Sequence, residues 1–188
     1  QEVNLSGEDF APEGELAVVV DKNASESDQF AAKELTRQLS EKWGIKARIT
    51  EEPSGSSIIL THQDVPDKVL SLPDKKSMQG YQLQTSADQL IIRAKGESGL
   101  FYGTQTLLQV LKKAENGVYV PGMEITDWPD ISERACHYDT KHHQDKRSYV
   151  ESFIRDLSRY KVNMLVWEWE DKFRYPSHPK IGAPGAFT

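Results

Sequence analysis

Apolar and polar positions change rhythm twice within the first sixty residues. Leu16-Ala17-Val18-Val19-Val20 is an unbroken apolar run, so a buried strand is expected over Glu15 to Val20. Phe30, Ala31, Leu35, Leu39 and Trp43 then recur at helical spacing. Ser25 with Asp28 three positions on forms a helix-start box, and Gly44 is a natural stop. Burying Phe30, Leu35 and Leu39 would contribute about 1.5–3 kcal/mol each. Ile45, Ala47 and Ile49 alternate as a second strand, Pro53-Ser54-Gly55 turns, and Ser57 to Thr61 makes a third. The polar, Gly/Pro-punctuated residues up to Gly14 are expected to be a lead-in. His62 to Gln79, with Pro66 and Pro73, is expected to be an irregular surface connection.

Tyr81 to Thr85 alternates, Ser86-Ala87-Asp88 turns, and Gln89 to Ala94 returns, which is a hairpin. A second helix is predicted from Ser98 to Lys113, with Leu100, Leu107, Val110 and Leu111 inward and Gly103 allowing close backbone approach. Strand, helix, two strands, hairpin and helix together predict a mixed sheet with helices on one face. This first domain, residues 1–126, should end where Asp127-Trp128-Pro129-Asp130 breaks the pattern. Residues 127–188 read differently. Arg134 to Asp139 is a short strand; Ser148 and Glu151 suggest a capping box ahead of the Val150, Phe153, Ile154 and Leu157 stripe; Val162 to Trp169 is a second strand. That is a βαβ unit, the building block of parallel sheets and barrels. One such unit leaves a parallel sheet uncovered, and Phe187-Thr188 resembles a helix entry, so the fold is expected to continue past Thr188.

Composition narrows the partners. The 188 residues carry a formal charge of −6, which argues against nucleic acid, because phosphate binding needs a basic patch. No apolar run approaches the roughly 20 residues a membrane helix needs. Cys136 is the single cysteine, so no internal disulfide forms. The chain begins at Gln1 without a signal peptide, as expected of a processed or trimmed product.

Candidate chemistry gathers near the end. Glu168, Glu170 and Asp171 form an acidic cluster of the kind glycosidases use. Glu168 and Glu170 stand two apart on one strand face, with no sugar-sized gap between them, which favours a binding or supporting role over an acid/base pair. Trp167 and Trp169 fall on the opposite face and suit helix packing. His137, Asp139, His142 and His143 superficially suggest a metal site, but adjacent histidines on an extended segment point apart. Cys136 beside His137 faces the other way and suits a small buried residue. No cofactor or metal is expected.

Three stretches resemble family 20 glycoside hydrolases of the β-N-acetylhexosaminidase type. They are Gly80-Tyr81-Gln82-Leu83 with Gly99-Leu100-Phe101-Tyr102-Gly103-Thr104-Gln105-Thr106-Leu107-Leu108-Gln109; Asp127-Trp128-Pro129 with Arg134 and Tyr138-Asp139-Thr140; and Tyr160-Lys161-Val162-Asn163 leading to Trp167 and Asp171. The resemblance implies a mixed-sheet α+β domain of the zincin-like fold, followed by the first βαβ unit of a (β/α)8 TIM barrel. It also implies that Arg134 holds the hydroxyls of a terminal N-acetylated sugar and that Asp171 orients Arg134; Glu168 is kept as a substrate-binding candidate on its strand-face position alone. The family's catalytic Asp-Glu pair belongs to a fourth barrel strand, so no catalytic residue is assigned within the 188. Glu168 replaces the family's usual His, and Lys172 a second Asp. The expected partner is an N-acetylhexosamine-containing glycan bound by the full-length parent. The expected location is the periplasm, cell surface or exterior, and the exposed barrel edge should favour self-association. A non-catalytic carbohydrate-binding or barrel-bracing module is the alternative.

Overall fold

The computed structural model describes residues 1–115 and 117–188, which fall into two compact units, Gln1–Ser132 and Glu133–Thr188. The first contains β1 (Glu2–Leu5), β2 (Leu16–Val19), α1 (Glu26–Trp43), β3 (Ala47–Thr50), β4 (Ser57–Thr61), α2 (Asp67–Leu70), α3 (Asp74–Ser77), β5 (Tyr81–Thr85), β6 (Gln89–Ala94), α4 (Glu97–Val110), β7 (Lys112–Ala114), β8 (Gly117–Tyr119) and β9 (Met123–Asp127). Its main sheet runs β1-β9-β5-β6-β4-β2-β3. β2 lies parallel to β3 and β4, and β4 to β6, whereas β1, β9, β5 and β6 pair antiparallel. All four residues of β2 are buried, as its unbroken apolar run requires of a strand covered on both faces. Leu16 and Val18 join Ile58, Leu83, Ile92 and Leu107 in the core under the helices. α1 lies against β2 and β3, α4 against β5 and β6, and the two helices touch each other.

α1 starts through the box visible in the sequence. Asp28 N–H donates to Ser25 Oγ at 3.1 Å, Ser25 N–H donates to Asp28 Oδ2 at 3.3 Å, and Gly44 closes the other end in the left-handed conformation. Ser25→Ala removes an acceptor for the helix's first N–H groups and is expected to lower stability by about 1 kcal/mol in denaturant unfolding. α4 can lie close to the sheet because of two glycines. A Cβ at Gly99 would sit 2.4 Å from the Gly80 carbonyl oxygen, and one at Gly103 2.3 Å from Ile92 Cγ2. The hydroxyl of buried Tyr81 donates to Asp127 Oδ2 at 2.8 Å and meets Thr106 Oγ1 at 2.6 Å. Burial, then the Asp127 charge, pushes this phenol well above its ordinary range.

Several expectations are corrected. The lead-in holds an edge strand, β1, whose residues are all exposed and so show no burial pattern. Phe30 is 59% exposed rather than inward; it stacks on Phe101, with ring centroids 6.2 Å apart, while Ala31, Ala32, Leu35 and Leu39 face the core. The 62–79 connection folds two single-turn helices, each opened by a proline, and buries Val69. α4 stops at Val110, because Lys112–Ala114 pairs with Gly117–Tyr119 instead of continuing the helix.

The second unit contains β10 (Ala135–Asp139), α5 (Arg147–Arg159), β11 (Met164–Glu168) and a single 3-10 turn at Glu170–Lys172. β10 and β11 are parallel, with Ala135 beside Met164 and Asp139 beside Glu168. The Ser148/Glu151 box does not form. The helix begins two residues earlier than that box would start it, with Lys146 at the cap, and Glu151 accepts from Arg147 Nε at 2.8 Å. Phe187 bridges Phe173.

Candidate functional site

Side-chain alternation divides the β10–β11 pair into two faces. On one, Tyr138 meets Trp167 edge-on and the ring of Phe153 from α5, each with centroids 5.2 Å apart, so α5 covers this face. Trp169 stacks on Trp167 at 3.6 Å. Tyr138 donates to Asp145, and its hydroxyl is held well above its ordinary range by burial first and by that carboxylate second. The other face carries Ala135, His137, Asp139, Met164, Val166 and Glu168, and Met164 and Val166 are 43% and 49% exposed. It is apolar toward the strand beginnings and polar toward the strand ends.

The polar end is organised around Glu168. Its Oε2 lies 3.2 Å from His137 Nε2, and its Oε1 lies 3.7 Å from Lys141 Nζ. The same ammonium is 3.1 Å from Glu170 Oε1. The hydrogen bond to Glu170, then the charges of Glu170 and Glu168, hold Lys141 above its usual range. Thr140 ties the strand ends together, donating from Oγ1 to the Glu168 carbonyl at 2.8 Å. Asp171 lies in the 3-10 turn just beyond β11, where Lys172 Nζ reaches its Oδ1 at 2.7 Å and holds this carboxyl below its usual range. The next residues form a hollow of about 700 Å³ lined by Phe173, Tyr175, Pro176, Pro179 and Pro184.

Glu168 and Asp171 therefore share one end of the strand pair. Arg134 does not. It precedes β10, and its Nε donates to the Lys161 carbonyl at 2.7 Å at the beginnings of the strands. Five residues of strand, about 16 Å, separate its backbone from that of Asp139. Lys141, which links Glu168 to Glu170, was not singled out from the sequence. The available signal was its place two residues past a strand end, where barrel enzymes gather their polar groups. Among the described residues no group of three or more His, Cys, Asp or Glu side chains is placed to hold a metal ion. His137 turns to Glu168, and His143 to Asp145 at 3.3 Å. No helix among the described residues is long and apolar enough to cross a membrane.

Known proteins share this architecture. Residues 1–128 match the family model for glycosyl hydrolase family 20, domain 2. A beta-hexosaminidase of Porphyromonas gingivalis is 29% identical over 153 residues, 74% of this chain. The alignment takes in 19% of that protein, so the chain spans about a fifth of its relative's length. The X-ray structure of Flavobacterium johnsoniae chitobiase superposes with a TM-score of 0.79 at 21% identity, covering 100% of this chain and 30% of that one. A mutant Streptomyces plicatus beta-hexosaminidase in complex with product GlcNAc superposes at 0.78 with 23% identity, covering 96% of this chain and 36% of its own. The mixed α/β sheet of the first unit has the domain 2 fold of these hexosaminidases. The chain belongs to glycosyl hydrolase family 20.

Proposed function

We propose that residues 133–188 open a catalytic (β/α)8 barrel, and that the parent protein removes terminal N-acetylhexosamine from glycans by substrate-assisted, retaining hydrolysis. The observation that carries this is the bare face of β10 and β11. Parallel strands are normally covered on both sides, yet here α5 covers one side while Met164 and Val166 stand exposed on the other. That face is apolar below and polar at the strand ends, as in a barrel interior beneath an active site. Glu168 and Asp171, at the mouth, contact the terminal sugar, and Arg134 braces the opposite ends of the strands through Lys161. The acid and its Asp partner come from parts of the parent beyond these residues, so the 188-residue chain alone is inactive and associates through its bare face. Such a substrate would be met in the periplasm, at the cell surface or outside the cell.

Kinetics of the parent protein on a terminal N-acetylhexosaminide test the assignment. Asp171→Asn and Glu168→Gln are each expected to lower kcat/KM about ten- to a hundredfold, the worth of a charged hydrogen bond to substrate. Arg134→Lys is expected to lower the melting temperature while leaving kcat/KM per folded molecule unchanged, because an ammonium cannot reproduce the Nε contact. Full activity in both carboxylate variants would remove the strand ends from the sugar site. A selective kinetic loss in Arg134→Lys would return that residue to it.

A further inference from the structure

The sequence places a single histidine, His62, in the first unit; His137, His142, His143 and His178 all belong to the second. His62 directly follows β4, and its ring stands between two other elements. Its Nδ1 is 2.8 Å from the carbonyl oxygen of Ala94, the last residue of β6. Its Nε2 is 3.2 Å from Asp28 Oδ2, in the first turn of α1. One side chain thus ties the ends of two neighbouring strands to the start of a helix.

Both groups that face the ring are acceptors. A backbone carbonyl never donates, and an ionised carboxylate only accepts. Neutral imidazole carries one N–H, so it satisfies one of the two and turns a lone pair toward the other. The imidazolium carries an N–H on each nitrogen and satisfies both. The geometry therefore requires the doubly protonated ring for both contacts to be hydrogen bonds.

The surroundings suit a cation at this place. The Asp28 side chain is only 7% exposed, and His62 is the basic side chain at ion-pair distance from it. Oδ2 also accepts from Ser25 N at 3.3 Å and Ser25 Oγ at 3.0 Å, both uncharged donors. Oδ1 is buried without a hydrogen-bond partner among the described residues. A buried carboxylate so short of donors gains from an adjacent positive charge. The neighbouring elements add no competing cation. Asp21, beyond β2, lines the same hollow of about 230 Å³ as His62 and Asp28. Glu97 occupies the first turn of α4, whose Leu100 lines it too. Lys95, next to Ala94, is engaged by Asp74 Oδ1 at 3.1 Å and Ser77 Oγ at 3.2 Å.

We propose that His62 is a proton-operated latch: with both ring nitrogens protonated it clamps the start of α1 to the end of β6, and loss of one proton releases Asp28. The neutral ring keeps its shorter bond to Ala94 and leaves a lone pair against a carboxylate oxygen. The clamp exists only in the folded chain and only with the charged ring. Its stabilisation is therefore complete below the ordinary imidazole range, about 6.5, and is lost as pH rises through the titration of the folded ring. The latch does not rest on the hydrolase function of the parent. It is tested by NMR of the isotope-labelled 188-residue chain between about pH 5 and about pH 8, with unfolding of the first unit measured at both ends of that range. At the acid end both ring N–H protons of His62 should be visible and protected from solvent, because each is hydrogen-bonded. The Asp28 and Ala94 backbone signals should titrate with the same midpoint as the ring. The unfolding constant should rise roughly three- to tenfold more across this range in the native chain than in His62→Gln, the worth of a charged hydrogen bond at a partly exposed ring. Asp28→Asn keeps an acceptor for Ser25 but removes the buried charge, and its pH dependence should match that of His62→Gln. Fewer than two protected ring N–H protons would overturn the proposal, as would Asp28 signals that do not follow the ring. So would equal pH dependence in the native chain and either variant.

Discussion

Gly99→Val is expected to destabilise the first unit by about 3 kcal/mol, lowering its melting temperature by on the order of 10 °C. The cause is steric. Even a single Cβ at this position would stand 2.4 Å from the Gly80 carbonyl oxygen and 2.8 Å from Ala94 Cβ. The first of these is backbone and cannot swing aside. The start of α4 would have to lift from β5 and β6, loosening Leu100 and Leu107, both fully buried. Ser98→Ala, on the exposed side of the same turn, should change stability by no more than about 0.5 kcal/mol. Thermal and denaturant unfolding of the two variants provide the comparison. An unchanged melting temperature in Gly99→Val would mean that α4 does not approach the sheet this closely.

The second large effect is on catalysis. With a chromogenic N-acetylglucosaminide, the 188-residue chain is expected to release nothing above background, whereas the parent turns the substrate over at least on the order of a millionfold faster than the uncatalysed reaction. Glycoside hydrolysis needs a protonated acid to donate to the leaving oxygen. Glu168 and Glu170, the most suggestive carboxylates in the chain, converge instead on one ammonium, Lys141. Turnover by the chain that survives repurification would contradict this assignment.

Much of the first unit was legible from the sequence because its signals are local. The apolar run Leu16 to Val20, the Ser25/Asp28 box with Gly44, and the Tyr81 to Ala94 hairpin each specify an element through neighbours a few residues apart, and each is present in the structure. Where the outcome depended on distant partners, the pattern misled. Phe30 belongs to a helical stripe by spacing, yet it stacks on Phe101 from α4 rather than entering the core. β1 is a strand only because β9 offers an edge, and α4 is shorter than its periodicity because Lys112–Ala114 finds β8. The candidate site divides along the same line. Spacing along one strand placed Glu168 and Asp171 near each other. Arg134 precedes β10 and Asp171 follows β11, so on the parallel strands that the βαβ reading already expected they start from opposite ends. Lys141 was missed because a lysine in a polar loop carries no periodic signal, and only its place just past a strand end could have marked it. The buried Asp28 oxygen was equally hidden, since a capping box is satisfied by one carboxylate oxygen and says nothing of the other.

The most direct test of the proposed activity is the anomeric configuration of the sugar first released by the parent protein, followed by proton NMR during hydrolysis of a β-linked N-acetylglucosaminide. Attack by the substrate's own acetamido group, followed by water, is a double displacement. The β-anomer should therefore appear first and only later equilibrate with the α-anomer. Initial release of the α-anomer, or no release of N-acetylglucosamine, would contradict the account.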